Sequence, residues 1–130
     1  MSMMTETNWT LATDLTATTF DGKAISVFDL YRETLRSGAR VIEGRTFTNC
    51  RLEGPAVVAI LGGVHFDSSD FGYAGGDVAR MVLRSASPSG VVGVIPFKDC
   101  RFVGCSFFAV GYTGPEDFLQ QILALQVRPA

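Results

Sequence analysis

The chain has 130 residues, 47% of them apolar and 18% charged, the size and composition of one globular domain able to bury a core without disulfides or metal. Eleven basic and thirteen acidic residues leave a net charge of −2. That balance excludes the basic stripe of non-specific nucleic-acid binding and a strongly acidic decoy surface, and no apolar stretch approaches the ~18 consecutive residues of a membrane span, so neither nucleic acid nor membrane is expected as a partner.

In chain order, residues 1–17 (MSMMTETNWTLATDLTA) are expected to be a flexible N-terminal segment. They carry no basic region followed by an apolar run, so they do not read as a secretory signal. The three cysteines are odd in number and form no C-x-x-C pair, which points to a reducing, cytoplasmic setting. Residues 18–27 (TTFDGKAISV) form a weak pair of five-residue units centred on Phe20 and Ile25. The stretch 25–42 begins β-like and continues as a short helix with Gly38 as its C-cap.

Residues 45–59 read RTFTN CRLEG PAVVA, and 64–73 read VHFDS SDFGY. Between 75 and 93, GGDVARMVLRSASPSGVVG breaks the pattern; SASPSG is a turn signal, and VARMVLRS before it suits a strand or a short helix. The pattern returns at 95–114 as IPFKD CRFVG CSFFA VGYTG. Residues 115–127 then open with Pro115, Glu116 and Asp117, residue types suited to a first helical turn. Phe118, Leu119, Ile122, Leu123, Leu125 and Val127 make one broad apolar face.

The spacing of five fits neither a helix nor a single strand. Each unit has a large apolar centre, such as Phe47, Leu52, Phe66, Phe71, Phe97, Phe102 or Phe107, and two residues earlier there is often a small residue such as Cys50, Cys100 or Cys105. In extended backbone these two positions face one way, and the residue between them, for example Arg51, His65, Asp70 or Arg101, faces the other. The remaining positions are often Gly, Asn, Asp or Ser, which tolerate corner conformations. A short extended piece and a corner, repeated, build a coil lined by Phe and Cys, with each turn resting on the next. Phe47, Cys50, Leu52, Phe66, Phe71, Phe97, Cys100, Phe102, Cys105 and Phe107 are the expected core.

The units CRLEG, SDFGY, CRFVG and CSFFA resemble those of the pentapeptide-repeat family. That resemblance implies a right-handed, four-sided β-helix. The longer framework Phe47-x-Asn49-Cys50-x-x-x-Gly54-Pro55-Ala56, followed by Gly93, Val94, Ile95, Phe97, Cys100, Phe102 and Cys105, is similar to that of a small uncharacterised bacterial group. Neither resemblance implies an activity. The expected fold is mainly β: a short, interrupted right-handed β-helix over 18–114, with an excursion at 75–93 and a C-terminal helix at 115–127 that caps an open end. The alternative is an antiparallel β-sandwich with fortuitous spacing.

No residue set specifies chemistry. Three cysteines in equivalent slots could stack, but a metal site needs about four tightly spaced ligands, and a small buried apolar role is the simpler reading. His65 lies in an outward slot without a nucleophile motif. Asp67, Asp70 and Asp77 could be paired carboxylates or a calcium site, against which stands a plain role at solvated corners. GGDVAR and LGGVHF match no phosphate-cradling motif. Arg80 and Arg84 could bind an anion if 77–85 is helical. No catalytic residue, metal or cofactor is expected. The function expected is a non-enzymatic protein-interaction or scaffold module that self-associates or binds a protein partner, with Arg80, Arg84, Phe118 and Ile122 as its candidate surface. The rivals are a carbohydrate-acting or carbohydrate-binding β-helix protein and a nucleic-acid mimic that inhibits a DNA-handling enzyme.

Overall fold

The computed structural model describes residues 9–72 and 77–125. Residues 1–8 of the expected flexible segment, 75–76 of the excursion and 126–127 of the expected C-terminal helix lie outside the described residues. The elements are β1 (Thr10–Leu11), β2 (Thr19–Asp21), β3 (Lys23–Ser26), α1 (Val27–Arg36), β4 (Ile42–Glu43), β5 (Thr46–Thr48) and β6 (Arg51–Ile60). There follow β7 (His65–Asp67), a 3₁₀ turn (Val78–Met81), β8 (Ile95–Lys98), β9 (Arg101–Val103), β10 (Ser106–Thr113) and α2 (Glu116–Ala124). The fold is mainly β, with two helices. Among the described residues every strand pairing is parallel, which sets aside the antiparallel sandwich.

One sheet runs β2-β5-β9-β7. Its registers align Phe20 with Phe47, Phe47 with Phe102, and Phe102 with Phe66. The four rings form a stack with centroid spacings of 5.3, 4.8 and 5.0 Å and interplanar angles below 10°, close to the spacing of neighbouring strands. Two residues beyond each of these phenylalanines the chain turns through a left-handed residue: Gly22, Asn49, Gly104 and Ser68, with φ between 52° and 68°. Glycine and asparagine are the residues that enter this region at least cost.

The other sheet runs β1-β3-β6-β8-β4, with β10 along the free side of β6. Its registers set Ile25 beside Leu52 and Leu52 beside Phe107. Layer order departs from chain order. Ile42, Phe47, Leu52 and Val58 face Phe97, Phe102, Phe107 and Tyr112 on one side of segment 95–113. On its other side lie Ile60 beside Phe97, Phe66 beside Phe102, Asp70 beside Ser106, and Val82 beside Tyr112. The expectation that each turn rests on the next is corrected: residues 95–113 run between the pass 42–60 and the pass 60–82. The inward residues of the two facing passes differ in size, Ile42, Leu52 and Val58 lying against the larger Phe97, Phe107 and Tyr112, and only Phe47 meets its own kind in Phe102.

Phe47, Cys50, Leu52, Phe97, Cys100, Phe102, Cys105 and Phe107 are buried in this core, while Phe66 and Phe71 are half-buried at its end. A Cβ at Gly54 would collide with the carbonyl oxygen of Ala109, where β10 bulges between Phe108 and Val110 and Ala109 is left-handed, with φ of 59°. Close backbone approach therefore accounts for the glycine in Gly54-Pro55-Ala56.

The helix α1 starts where the repeat pattern ends. The Ser26 hydroxyl accepts a hydrogen bond from the Asp29 N–H at 3.2 Å, an N-cap, and Val27, Leu30 and Thr34 face inward. After Ser37 the chain leaves through Gly38 at φ 94°. At the other end of the chain, Leu119 and Ile122 of α2 are buried and the Phe118 ring lies over Phe66. Residues 10–11, within the segment expected to be flexible, pair with β3. Among the described residues no helix is long and apolar enough to cross a membrane.

Candidate functional site

Alternation along the second sheet turns Ile25, Leu52 and Phe107 inward and leaves Ala24, Arg51, Glu53 and Phe108 on its outer side. Leu11, in register with Ala24, joins them. Trp9 immediately precedes β1, and its indole N–H donates to the carbonyl of Asn49 at 3.0 Å. The left-handed corner at Asn49 is thus fixed to the N-terminal segment.

Arg51 lies between two aromatic rings. Its guanidinium carbon is 4.8 Å from the Phe108 ring centroid and 5.4 Å from that of Trp9, and its Nε is 2.9 Å from Glu53 Oε2. A planar cation held between rings gains from their quadrupoles, and the ion pair fixes its plane. Beside it Phe108 remains 57% exposed and Leu11 75% exposed. An arginine locked between aromatics, next to exposed apolar side chains, has the composition of a protein-binding centre.

The surface expected from sequence is dispersed. Arg80 is exposed on the 3₁₀ turn. The stretch 77–85 is not an α-helix, so the anion site that required one does not form. Arg84 is committed to Glu116, Nε to Oε1 at 2.9 Å and NH2 to Oε2 at 2.7 Å; this pairing, with a further hydrogen bond from Gln120, brings the Glu116 carboxyl down to about 2. Phe118 is half-buried against Phe66, and Ile122 is 1% exposed. Ile122 is therefore corrected from surface to core: α2 presses the middle of its apolar face onto the sheet end.

The three thiols are free and buried. The Cys100 Sγ donates to the carbonyls of Lys98 and Ile42 at 3.3 and 3.5 Å, and the Cys105 Sγ to that of Phe47 at 3.2 Å. Burial pushes the Cys100 thiol up. The neighbouring Cys50 sulfur, together with burial, holds the Cys105 thiol above the usual range. Among the described residues no group of three or more His, Cys, Asp or Glu is placed to hold a metal.

The three aspartates singled out in the sequence accept hydrogen bonds within their own turns. Asp70 Oδ1 accepts from the Gly72 N–H at 2.9 Å, Asp77 Oδ1 accepts from the Ala79 N–H at 3.2 Å, and Asp67 Oδ1 accepts from the Ser68 hydroxyl at 3.2 Å. His65 and Asp67 are exposed on β7.

Comparison with protein-family models, with curated proteins and with solved structures finds no match to this chain.

Trp9 and Phe108 escaped the sequence reading. The doubled phenylalanine in CSFFA was the available signal, since adjacent strand residues point to opposite sides and one of the pair must face out.

Proposed function

We propose that this chain is a non-enzymatic protein-interaction module that self-associates through the outer face carrying Trp9, Leu11, Arg51 and Phe108. Its ladders are read as a short right-handed β-helix of the pentapeptide-repeat kind, in keeping with the right-handed preference of parallel crossovers, with α2 as the cap of one end. The observation that carries the reading is Arg51 held between the Trp9 and Phe108 rings while Phe108 and Leu11 stay exposed. Glu53 neutralises Arg51, so two copies of this face meet without like-charge repulsion, as an isologous contact requires. Three buried free thiols suit a reducing, cytoplasmic setting.

The test is light scattering across a wide concentration range, on the natural chain and on a Leu11→Ser/Phe108→Ser double variant. A concentration-dependent dimer that becomes a monomer in the variant supports the proposal. A natural chain that stays monomeric, or a variant that dimerises equally, removes it.

A further inference from the structure

At the far end of β6 from the Arg51 cluster, a cavity of about 510 Å³ opens between the strand ends, the loop 84–94 and the start of α2. This is within the range of small-molecule sites. Its walls are mainly apolar, with Ile60, Val91, Val94 and Leu119 among them.

One polar side chain in the wall has no structural employment. Thr113 is 6% exposed and lines the cavity. Its neighbour Tyr112 points into the core, where its hydroxyl donates to the Phe71 carbonyl, so alternation turns Thr113 to the cavity side. There it lies in register with Ala59, also in the cavity wall. Among the described residues nothing hydrogen-bonds the Thr113 hydroxyl. A valine would fill the same volume without the cost of a buried, unpaired hydroxyl.

The start of α2 adds donors at the same place. Gly114, Pro115 and Glu116 line the cavity, and the N-cap residue, Pro115, supplies no side-chain cap to the first-turn N–H groups. Charge at this end is already balanced. Glu116 holds Arg84 through two contacts, and Asp117 adds a second carboxylate to the first turn. An incoming anion finds Arg84, the cation in the cavity wall, already taken by both oxygens of Glu116, and an incoming cation meets the positive end of the helix.

We infer that this cavity is a binding site for a small, uncharged, largely apolar molecule bearing a carbonyl or hydroxyl oxygen, which Thr113 engages by a hydrogen bond. The apolar body lies against Ile60, Val94 and Leu119, and the oxygen takes up the Thr113 hydroxyl and the N–H of Glu116 at the cavity wall, the Phe118 N–H being taken by Asp117 Oδ1 at 2.9 Å. The site is independent of self-association through the Arg51 face.

The experiment uses the full chain and three probes of one shape: cyclohexanone, cyclohexanol and cyclohexanecarboxylate, titrated while backbone amide resonances are followed. The two neutral probes are expected to shift resonances of Ile60, Val91, Thr113 and Leu119, with the carboxylate at least several-fold weaker. Thr113→Val, which preserves shape, is expected to weaken cyclohexanone roughly five-fold, the effect of one net hydrogen bond. Val91→Trp, placed on the exposed loop where folding is least disturbed, is expected to fill the cavity and abolish binding. Shifts centred elsewhere, no binding by either neutral probe, equal binding of the carboxylate, or Thr113→Val binding as well as the natural chain each overturns the inference.

Discussion

The Phe118 ring of α2 lies over the Phe66 ring at 5.6 Å and 22°, adding a fifth member to the stack that runs from Phe20 through Phe47 and Phe102. The helix thereby continues, with a side chain, a ladder whose backbone ends at β7. Phe118 also meets Phe71 and Tyr112 edge-on, so one ring closes contacts to three others. Replacing it by alanine removes apolar burial together with these ring pairs, each worth about 0.5–1.5 kcal/mol beyond area. Phe118→Ala is expected to lower stability by about 2–3 kcal/mol in urea unfolding. Phe28→Ala, on an exposed face of α1, serves as control at below about 0.5 kcal/mol. Equal effects from the two variants would deny α2 its structural role.

Backbone contact, rather than side-chain packing, governs Gly54. Because a Cβ there meets the Ala109 carbonyl, Gly54→Ala must displace either β6 or the β10 bulge. Gly44 provides the comparison: its φ is 71°, but nothing lies within 4 Å of an added Cβ, so alanine there bears conformational strain alone. The expected losses are about 2–3 kcal/mol at Gly54 and about 1 kcal/mol at Gly44, from denaturant midpoints at constant slope. Reversal of that order would show that the bulge yields freely.

How much of this was legible in sequence depends on the range of the interaction. Whether Phe47 and Phe102 face inward is decided by alternation and corners within a few residues, and the five-residue spacing carries that information. Which pass lies beside which is decided between distant segments. Phe66 and Phe102 are the same residue type in equivalent slots of their units, so no local signal selects Phe102 over Phe66 as the ring stacked on Phe47, and hence 95–113 as the segment between 42–60 and 60–82. The outward direction of Arg51 followed from its slot between Cys50 and Leu52. Its aromatic partner Trp9 did not, because a two-residue strand such as β1 leaves almost no periodic signal. In α2 the apolar face was plain, but periodicity could not separate buried Ile122 from half-buried Phe118.

Acid should loosen the tie between the 84–94 loop and α2. In the folded chain Glu116 titrates at about 2 instead of 4.5, first because of its hydrogen bond to Arg84 and then because of Gln120. A carboxyl with a depressed folded pKa contributes stability that is present above its unfolded value and is lost as pH falls through the folded one. The difference in Tm between the natural chain and Glu116→Gln should therefore be constant near neutral pH and shrink between pH 4.5 and about 2. Both groups are solvent-exposed, so added salt should shrink it as well. A difference that survives unchanged at the acid end would mean that Arg84 is not its source.

Arg51 separates a cation held by rings from a cation that merely balances charge. Lysine keeps the charge near Glu53 but cannot present a flat guanidinium to Trp9 and Phe108 at once. If the outer face associates through that rigid cluster, Arg51→Lys should weaken the dimer roughly five- to thirty-fold, on the scale of one or two ring–cation contacts. Monomer stability should change little, since Arg51 is already one-third exposed in the single chain, with 32% of its side chain open to solvent. Sedimentation equilibrium measures the first effect and thermal unfolding at low concentration the second. Loss of monomer stability without loss of association would assign the Trp9–Arg51–Phe108 cluster to holding β1 in place, and a dimer interface would then have to lie elsewhere.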